Sequence, residues 1–279
     1  MTQSLTNKVA LVTGASRGLG RAAALALAKL GCHIIATART QGGLEELDDE
    51  IKAAGSSATL VPMNITDYAG IDRLGAAIFE RWKKLDILVG NAAVLGQLTP
   101  VAHLDQKVWD EVMAVNVTAN YRLLRSLDPL LRMAPAGRAV FVTSGVAHST
   151  PAYWGGYSIS KAALEAMVKT YAAETATTNI KANLFSPGAT RTAMRAQAMP
   201  GEDPLTLPSA EEVAAQIVPM CGEDFGDTGA VYKFAKSGLR SRRNSSNALS
   251  CDSEAPCRCL LYTSPSPRDR TRSRMPSSA

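Results

Sequence analysis

Seven short apolar runs, separated by stretches with the three-to-four-residue spacing of a helix, set the limits on what this chain can fold into. The first, at 8–13 (KVALVT), ends in a glycine-rich turn and gives way to an alanine-rich helical stretch at 18–30. Apolar runs recur at 32–38, 58–63, 85–90, 138–143, 180–185 and 229–234. Between them lie a polar helical pattern around Leu44, Leu47 and Ile51 and further ones at 68–82, 105–133, 153–176 and 209–221. Runs this short read as strands, and strands that alternate with helices need crossovers that leave neighbours parallel and cover both sheet faces. The expected fold is α/β, a doubly wound and mostly parallel seven-stranded sheet with helices on both faces in a single domain.

That pattern fills residues 1–235 and stops at Lys236. With 46% hydrophobic residues the chain can bury a sizeable core. The segment 236–279 is dense in Ser, Arg and Pro, has no sustained periodicity, and is expected to be disordered. It holds 9 of the 30 Lys/Arg but only 3 of the 25 Asp/Glu, so the net charge of +5 belongs to it and the first 235 residues sit near −1. A basic tail foreign to the fold, from a frameshift or read-through, is the simpler account, and an interaction arm is the alternative. Basicity confined there gives no reason to expect a nucleic-acid partner. No apolar run approaches the roughly 18 residues of a membrane span, and the start Met1-Thr2-Gln3-Ser4 lacks the basic and apolar regions of a secretory signal. A cytoplasmic protein without a membrane partner is expected. Cys32 and Cys221 fall in regular segments, while Cys251, Cys257 and Cys259 cluster in the tail at a spacing that fits no zinc template, so no metal site is expected.

Gly14, Gly18 and Gly20 lie in the turn between the first strand and the first helix. Such a turn lets the backbone approach a pyrophosphate, which then rests on the free amides of the helix N-terminus, as in a Rossmann-type dinucleotide site. Sites for NAD usually carry an acid at the end of the second strand, for the ribose 2′-hydroxyl. Here that end reads Ala36-Thr37-Ala38-Arg39, with no carboxylate to repel a 2′-phosphate. Arg39, and Arg17 inside the turn, could pair with one, so NADP(H) is the expected cofactor ahead of NAD(H). Tyr157 and Lys161 are four residues apart on one helix face, where an ammonium can lower a phenol's pKa. Ser144 ends the preceding strand, where α/β folds place ligands, and could hydrogen-bond a substrate oxygen.

With these residues the chain resembles the short-chain dehydrogenase/reductase family, in its classical branch, over about 8–234. TGASRGLG at 13–20 matches the family's TGxxxGxG, and Tyr157 with Lys161 matches its YxxxK. The resemblance implies an oxidoreductase that passes a hydride between NADP(H) and a carbonyl or alcohol, with Tyr157 as general acid/base. It also implies a tetrad in which Asn116 supports a proton relay through water, Ser144 polarises the carbonyl, and Lys161 acts on Tyr157 and on the nicotinamide ribose. The cofactor residues it implies are Gly14, Ser16, Arg17, Gly18, Leu19 and Gly20 in the turn; Arg39, Asn64 and Asn91 at strand ends; Tyr157 and Lys161; and Pro187, Gly188, Thr190 and Thr192 from a PGxxxT stretch. Two positions depart from the family pattern. NNAG appears as Gly90-Asn91-Ala92-Ala93, and Asn64 stands where an Asp is common near the adenine. The long helices at 105–133 and 153–176 resemble those that pair family subunits, so a homodimer or homotetramer is expected.

An epimerase or dehydratase of the extended branch usually has a TGxxGxxG turn, which Gly18 does not match. A non-catalytic NADP(H)-binding sensor or scaffold is the other alternative, and it has no need of the tetrad. Substrate choice is expected in 189–208, where Arg191 and Arg195 either favour an anionic small-molecule substrate or are merely solvated. His148, Tyr153 and Trp154 either line the substrate pocket or pack. Trp82 and Trp109 read as packing residues, and His33 and His103 have no metal-like partners.

Overall fold

The computed structural model describes residues 4–242. Each expected strand is present: β1 (Val9–Thr13), β2 (His33–Ala38), β3 (Ala58–Pro62), β4 (Ile87–Gly90), β5 (Arg138–Val142), β6 (Lys181–Ser186) and β7 (Val231–Lys233). All pair in parallel, in the order β3-β2-β1-β4-β5-β6-β7. The chain winds outward from β1 in one direction and, after crossing back, from β4 in the other. The cleft at that reversal is where a ligand fits in an open α/β sheet.

Alternation along the strands feeds two cores. Ala10, Val12, Ile34 and Val89 face α1 (Gly18–Ala28) and α2 (Gln41–Ala53), meeting Leu27, Leu44, Leu47 and Ile51. Leu11, Ile35, Leu88 and Phe141 face the opposite way. They meet Ile71 and Ile78 of α3 (Tyr68–Trp82), and beyond it the long helices that follow β4 and β5.

Three helical expectations are refined. The stretch expected as one helix at 105–133 is α4 (Gln106–Met113), a π turn at Ala114–Thr118, and α5 (Ala119–Met133). In that turn the Ala119 N–H reaches back five residues to the Ala114 carbonyl. The stretch at 153–176 becomes α7 (Gly155–Glu174), preceded by a single turn, α6 (Val146–Ser149). After β6 come α8 (Ala193–Ala198) and α9 (Ala210–Ala214), and a 3₁₀ turn at Val218–Cys221 completes the segment expected as one helix at 209–221. Pro219 opens that turn, where it leaves no internal helix amide unpaired.

The sheet also carries an eighth strand, β8 (Arg240–Arg242), antiparallel to β7. The fold therefore runs seven residues past the boundary expected at 235. A turn reverses the chain, with the Gly238 N–H bonded to the Ala235 carbonyl at φ +104°, and Leu239 packs on the first core. The rest of the expected tail, with Cys251, Cys257 and Cys259, lies outside the described residues. Among those described, no helix is long and apolar enough to cross a membrane and no acidic, His or Cys cluster could hold a metal.

Because β8 covers the edge of β7, a chain ended at Ala235 is expected to unfold at a lower temperature than one ended at Arg242. A loss of about 1–2 kcal/mol, a shift of several degrees, is expected in paired thermal melts.

Candidate active site

The strand ends and the loops that leave them enclose one cleft of about 1150 Å³. Gly14, Ser16, Arg17, Gly18 and Leu19 wall one side of it, Arg39 and Asn64 border it from the ends of β2 and β3, and Asn91 lies at the end of β4. Ser144, Tyr157, Pro187, Gly188, Thr190 and Thr192 line the rest. Gly20, Asn116 and Lys161 stand behind the wall, with Asn116 and Lys161 buried.

The glycine turn is locked from two sides. A side chain at Gly20 would run into the Gly14 carbonyl and the Asn91 amide, so helix and turn can approach this closely only with glycine there. The Asn91 side chain donates to the carbonyls of Thr13 (2.9 Å) and Gly14 (3.3 Å). In return the Thr13 hydroxyl accepts from the N–H groups of Asn91 and Ala92, both at 3.0 Å. Strand-end support thus survives the departure from NNAG through Asn91 and Thr13. The first turn of α1 has no acidic residue and no side-chain cap, which leaves its amides free for an anion. Arg17 and Arg39 are exposed beside it and have no carboxylate partner among the described residues.

At the other end, Ser144 stands close enough to the Tyr157 phenol to favour its ionised form slightly. The Lys161 ammonium lies 5.7 Å from the Tyr157 ring centroid and donates to the Val142 carbonyl at 2.8 Å. Burial pushes the phenol up to about 12, against a smaller lowering by Ser144. The sequence suggested a phenol lowered by its lysine. Desolvation dominates instead, and it also pulls Lys161 down to about 8.

Asn116 sits in the π turn with its side chain fully engaged. Its Oδ1 accepts from the Val94 N–H (2.9 Å), and its Nδ2 donates to the Val94 carbonyl (2.9 Å) and to the Ser160 hydroxyl (3.0 Å). It therefore ties the loop after β4 to the helix that carries Tyr157 and Lys161.

Two residues escaped the sequence reading. Asn120, one turn beyond Asn116, donates to the Asn116 carbonyl at 2.9 Å. Glu165, one turn beyond Lys161, is buried. It accepts from Thr143 at 2.8 Å, lies 3.0 Å from His148 Nε2, and accepts from Lys169 at 3.2 Å. The signal was a polar residue at i+4 from a site residue, on the inward helix face. His148 is thus engaged with Glu165 behind the wall, while Trp154 lines the cleft 6.1 Å from Tyr157, ring centre to ring centre. Trp82 packs against His33 at 5.1 Å.

The sequence profile of the short chain dehydrogenase family matches residues 8–203. The chain belongs to that family. This short-chain dehydrogenase is 34% identical over 223 residues to the uncharacterised oxidoreductase YciK of Escherichia coli K12, covering 79% of the chain and 88% of the relative. A short-chain dehydrogenase of Shigella flexneri 2a strain 301, solved in complex with NADP, superposes with a TM-score of 0.80 at 32% identity, over 84% of this chain and 99% of that one. One from E. coli CFT073, solved with NADPH, gives 0.80 at 33%, over 84% and 98%. The protein is an oxidoreductase of this family.

Holding the Lys161 ammonium out of water costs the free protein on the order of 3 kcal/mol at neutral pH. Its folded pKa lies below the unfolded one, so the unfolded chain binds the extra proton and this cost fades as pH rises from about 8 to above 10. Above pH 10 the raised Tyr157 acts the other way and stability falls. Lys161→Met should melt several degrees above wild type at pH 7, with the gap closing towards pH 10; an equal gap at both pH values would contradict this account.

Proposed function

We propose that this short-chain dehydrogenase reduces a carbonyl compound to an alcohol with NADPH, with Tyr157 as the proton donor. The observation that carries the reading is a single cleft with unpaired Arg17 and Arg39 at one end and the Ser144–Tyr157–Lys161 group at the other. NADP(H) fits these residues. The free amides of α1 suit its pyrophosphate, the two arginines its 2′-phosphate, Asn64 its adenine side, and Gly188, Thr190 and Thr192 its nicotinamide amide. The family structures solved with NADP and NADPH support this choice. When bound, NADPH supplies the hydride.

The chain's own part is positioning and proton handling. Ser144 donates a hydrogen bond to the substrate oxygen and fixes it beside the phenol. With a pKa near 12 the phenol still holds its proton at neutral pH, so it is poised to give that proton to the oxygen as the carbon is reduced. The nearby ammonium stabilises the phenolate left behind and thereby lowers the barrier. Asn116, through Val94 and Ser160, keeps the cleft wall and α7 in register.

Tyr157→Phe should lower kcat by about 10³-fold or more on any reducible ketone, with NADPH affinity nearly unchanged. NADPH binding without turnover on a panel of ketones, aldehydes and 3-oxoacyl thioesters would favour a sensor. Removing both guanidinium groups in Arg17→Ala/Arg39→Ala should raise the KM for NADPH about 10- to 100-fold and move that for NADH little. The reductive rate should be level below about pH 8 and fall above it, as Lys161 loses the charge that supports the phenolate.

A further inference from the structure

The substrate end of the cleft says what kind of carbonyl compound fits, if the reductase reading above is right. Its walls are largely apolar, formed by Val94 and Leu95 after β4, Val108 of α4, Trp154, and Met194 of α8. Two charged side chains reach this part of the cleft, Arg195 from α8 and Glu111 from α4.

Arg195 is already committed. Its Nε and Nη2 donate to the two carboxylate oxygens of Glu202 at 2.5 and 2.7 Å, a bidentate pairing that satisfies the guanidinium along its fork. Burial leaves the pair partly screened from water, with Arg195 at 26% and Glu202 at 28% side-chain exposure. Glu111 has no cationic partner among the described residues. Arg191, the other cation of the segment, does not line this cleft. The free guanidinium groups of the cleft, Arg17 and Arg39, are at the phosphate end. Apart from the Lys161 ammonium, which is buried behind Tyr157 and donates to Val142, the lining beyond the phosphate end offers apolar surface, the amides of Gln97 and Gln197, and one carboxylate without a cationic partner, the exposed Glu111.

We infer that the pocket takes a carbonyl compound with an apolar flank and rejects carboxylates, because Glu202 neutralises Arg195 and the Glu111 carboxylate on the cleft lining has no cationic partner among the described residues. A carboxylate entering here would lose water, meet no free guanidinium and share the cleft with the Glu111 carboxylate. Of the two readings the sequence left open for Arg195, neither holds. It is not a free anion receptor and not a solvated side chain, but one half of an ion pair within the pocket wall.

The test uses three acetophenones that carry the same two-carbon para chain, ending in a methyl ester, a carboxylate or an ammonium group. The methylenes insulate the carbonyl, so charge alone changes. Both kcat/KM with NADPH and the dissociation constant from the NADP⁺ complex are measured, the latter by quenching of tryptophan fluorescence. The ester should exceed the carboxylate by ~30-fold or more in both quantities, and the ammonium compound should lie within ~3-fold of the ester. Glu202→Gln, which leaves Arg195 its charge but removes its neutralising partner, should narrow the ester-to-carboxylate ratio by ~5-fold or more; the ratio is insensitive to any general loss of folded protein. Glu111→Gln should narrow it as well. A carboxylate handled as well as the ester, a ratio unmoved in Glu202→Gln, or no binding of any of the three overturns the inference. Selective binding without turnover upholds it and overturns the reductase reading, while turnover without selectivity does the reverse.

Discussion

Where β1 and β4 end, the sheet's two halves wind away from each other, and a gap opens that nothing in a parallel ladder would bridge. The exchange between Thr13 and Asn91 bridges it: one amide gives to the carbonyls of Thr13 and Gly14, and one hydroxyl receives from the next strand's loop. Gly20 then presses α1 against the same junction. Positions of everything downstream follow from this. The α1 amides are held at the cleft's edge, and the loop after β4 reaches Val94, which Asn116 holds from the π turn. Such polar junctions make the rigid frame on which a cofactor can be oriented, since each buried group in them has its partner.

Against that rigid frame, the tyrosine–lysine end of the cleft is a place of stored cost. Lys161 is buried, and among the described residues its one acceptor is the Val142 carbonyl. Tyr157 above it is driven towards its neutral form by the same dehydration. The buried ammonium costs the free protein stability, but because it is kept from water it exerts a stronger field on any negative charge that appears on the phenol oxygen, and so offsets the burial that opposes such charge. Glu165 adds a second tier. It anchors the end of β5 through Thr143 and the α6 turn through His148, and Ser144 lies on the short connection between those two anchors.

Fold class and most of the site were legible because they rest on local regularities. The runs at 8–13 and 32–38 alternate cleanly once their two cores are seen, and Tyr157 and Lys161 share a face by helix geometry alone. What escaped depends on contacts between segments far apart in sequence. β8 is three polar residues that become a strand only because Gly238 turns them back onto β7. The break in the helix at Ala114–Thr118 leaves no trace in hydrophobic spacing, since it arises where Asn116 is held by a loop from another strand. The shift of Tyr157 ran opposite to expectation because spacing reveals the neighbouring charge but not the depth of burial. Arg195 looked free because its partner lies seven residues on, past the end of a six-residue helix.

The change at the fourth strand illustrates how such departures are absorbed. A side chain at position 90 would run into the ring of Phe141 and approach the Asn120 amide at 3.0 Å, so glycine there and asparagine at 120 occupy complementary space. The space is filled from the facing helix by Asn120, whose Oδ1 has no hydrogen-bond partner among the described residues. Asn120 donates to the carbonyl of Asn116, a carbonyl that lies within the π turn, where backbone pairing is displaced by one residue. Gly90, the π turn and Asn120 are thus one structural substitution spread over two elements, and it leaves Asn116 free to hold Val94 and Ser160. A departure from a family motif is best judged by what fills the vacated volume, and here a buried amide fills it while bonding back to the π turn.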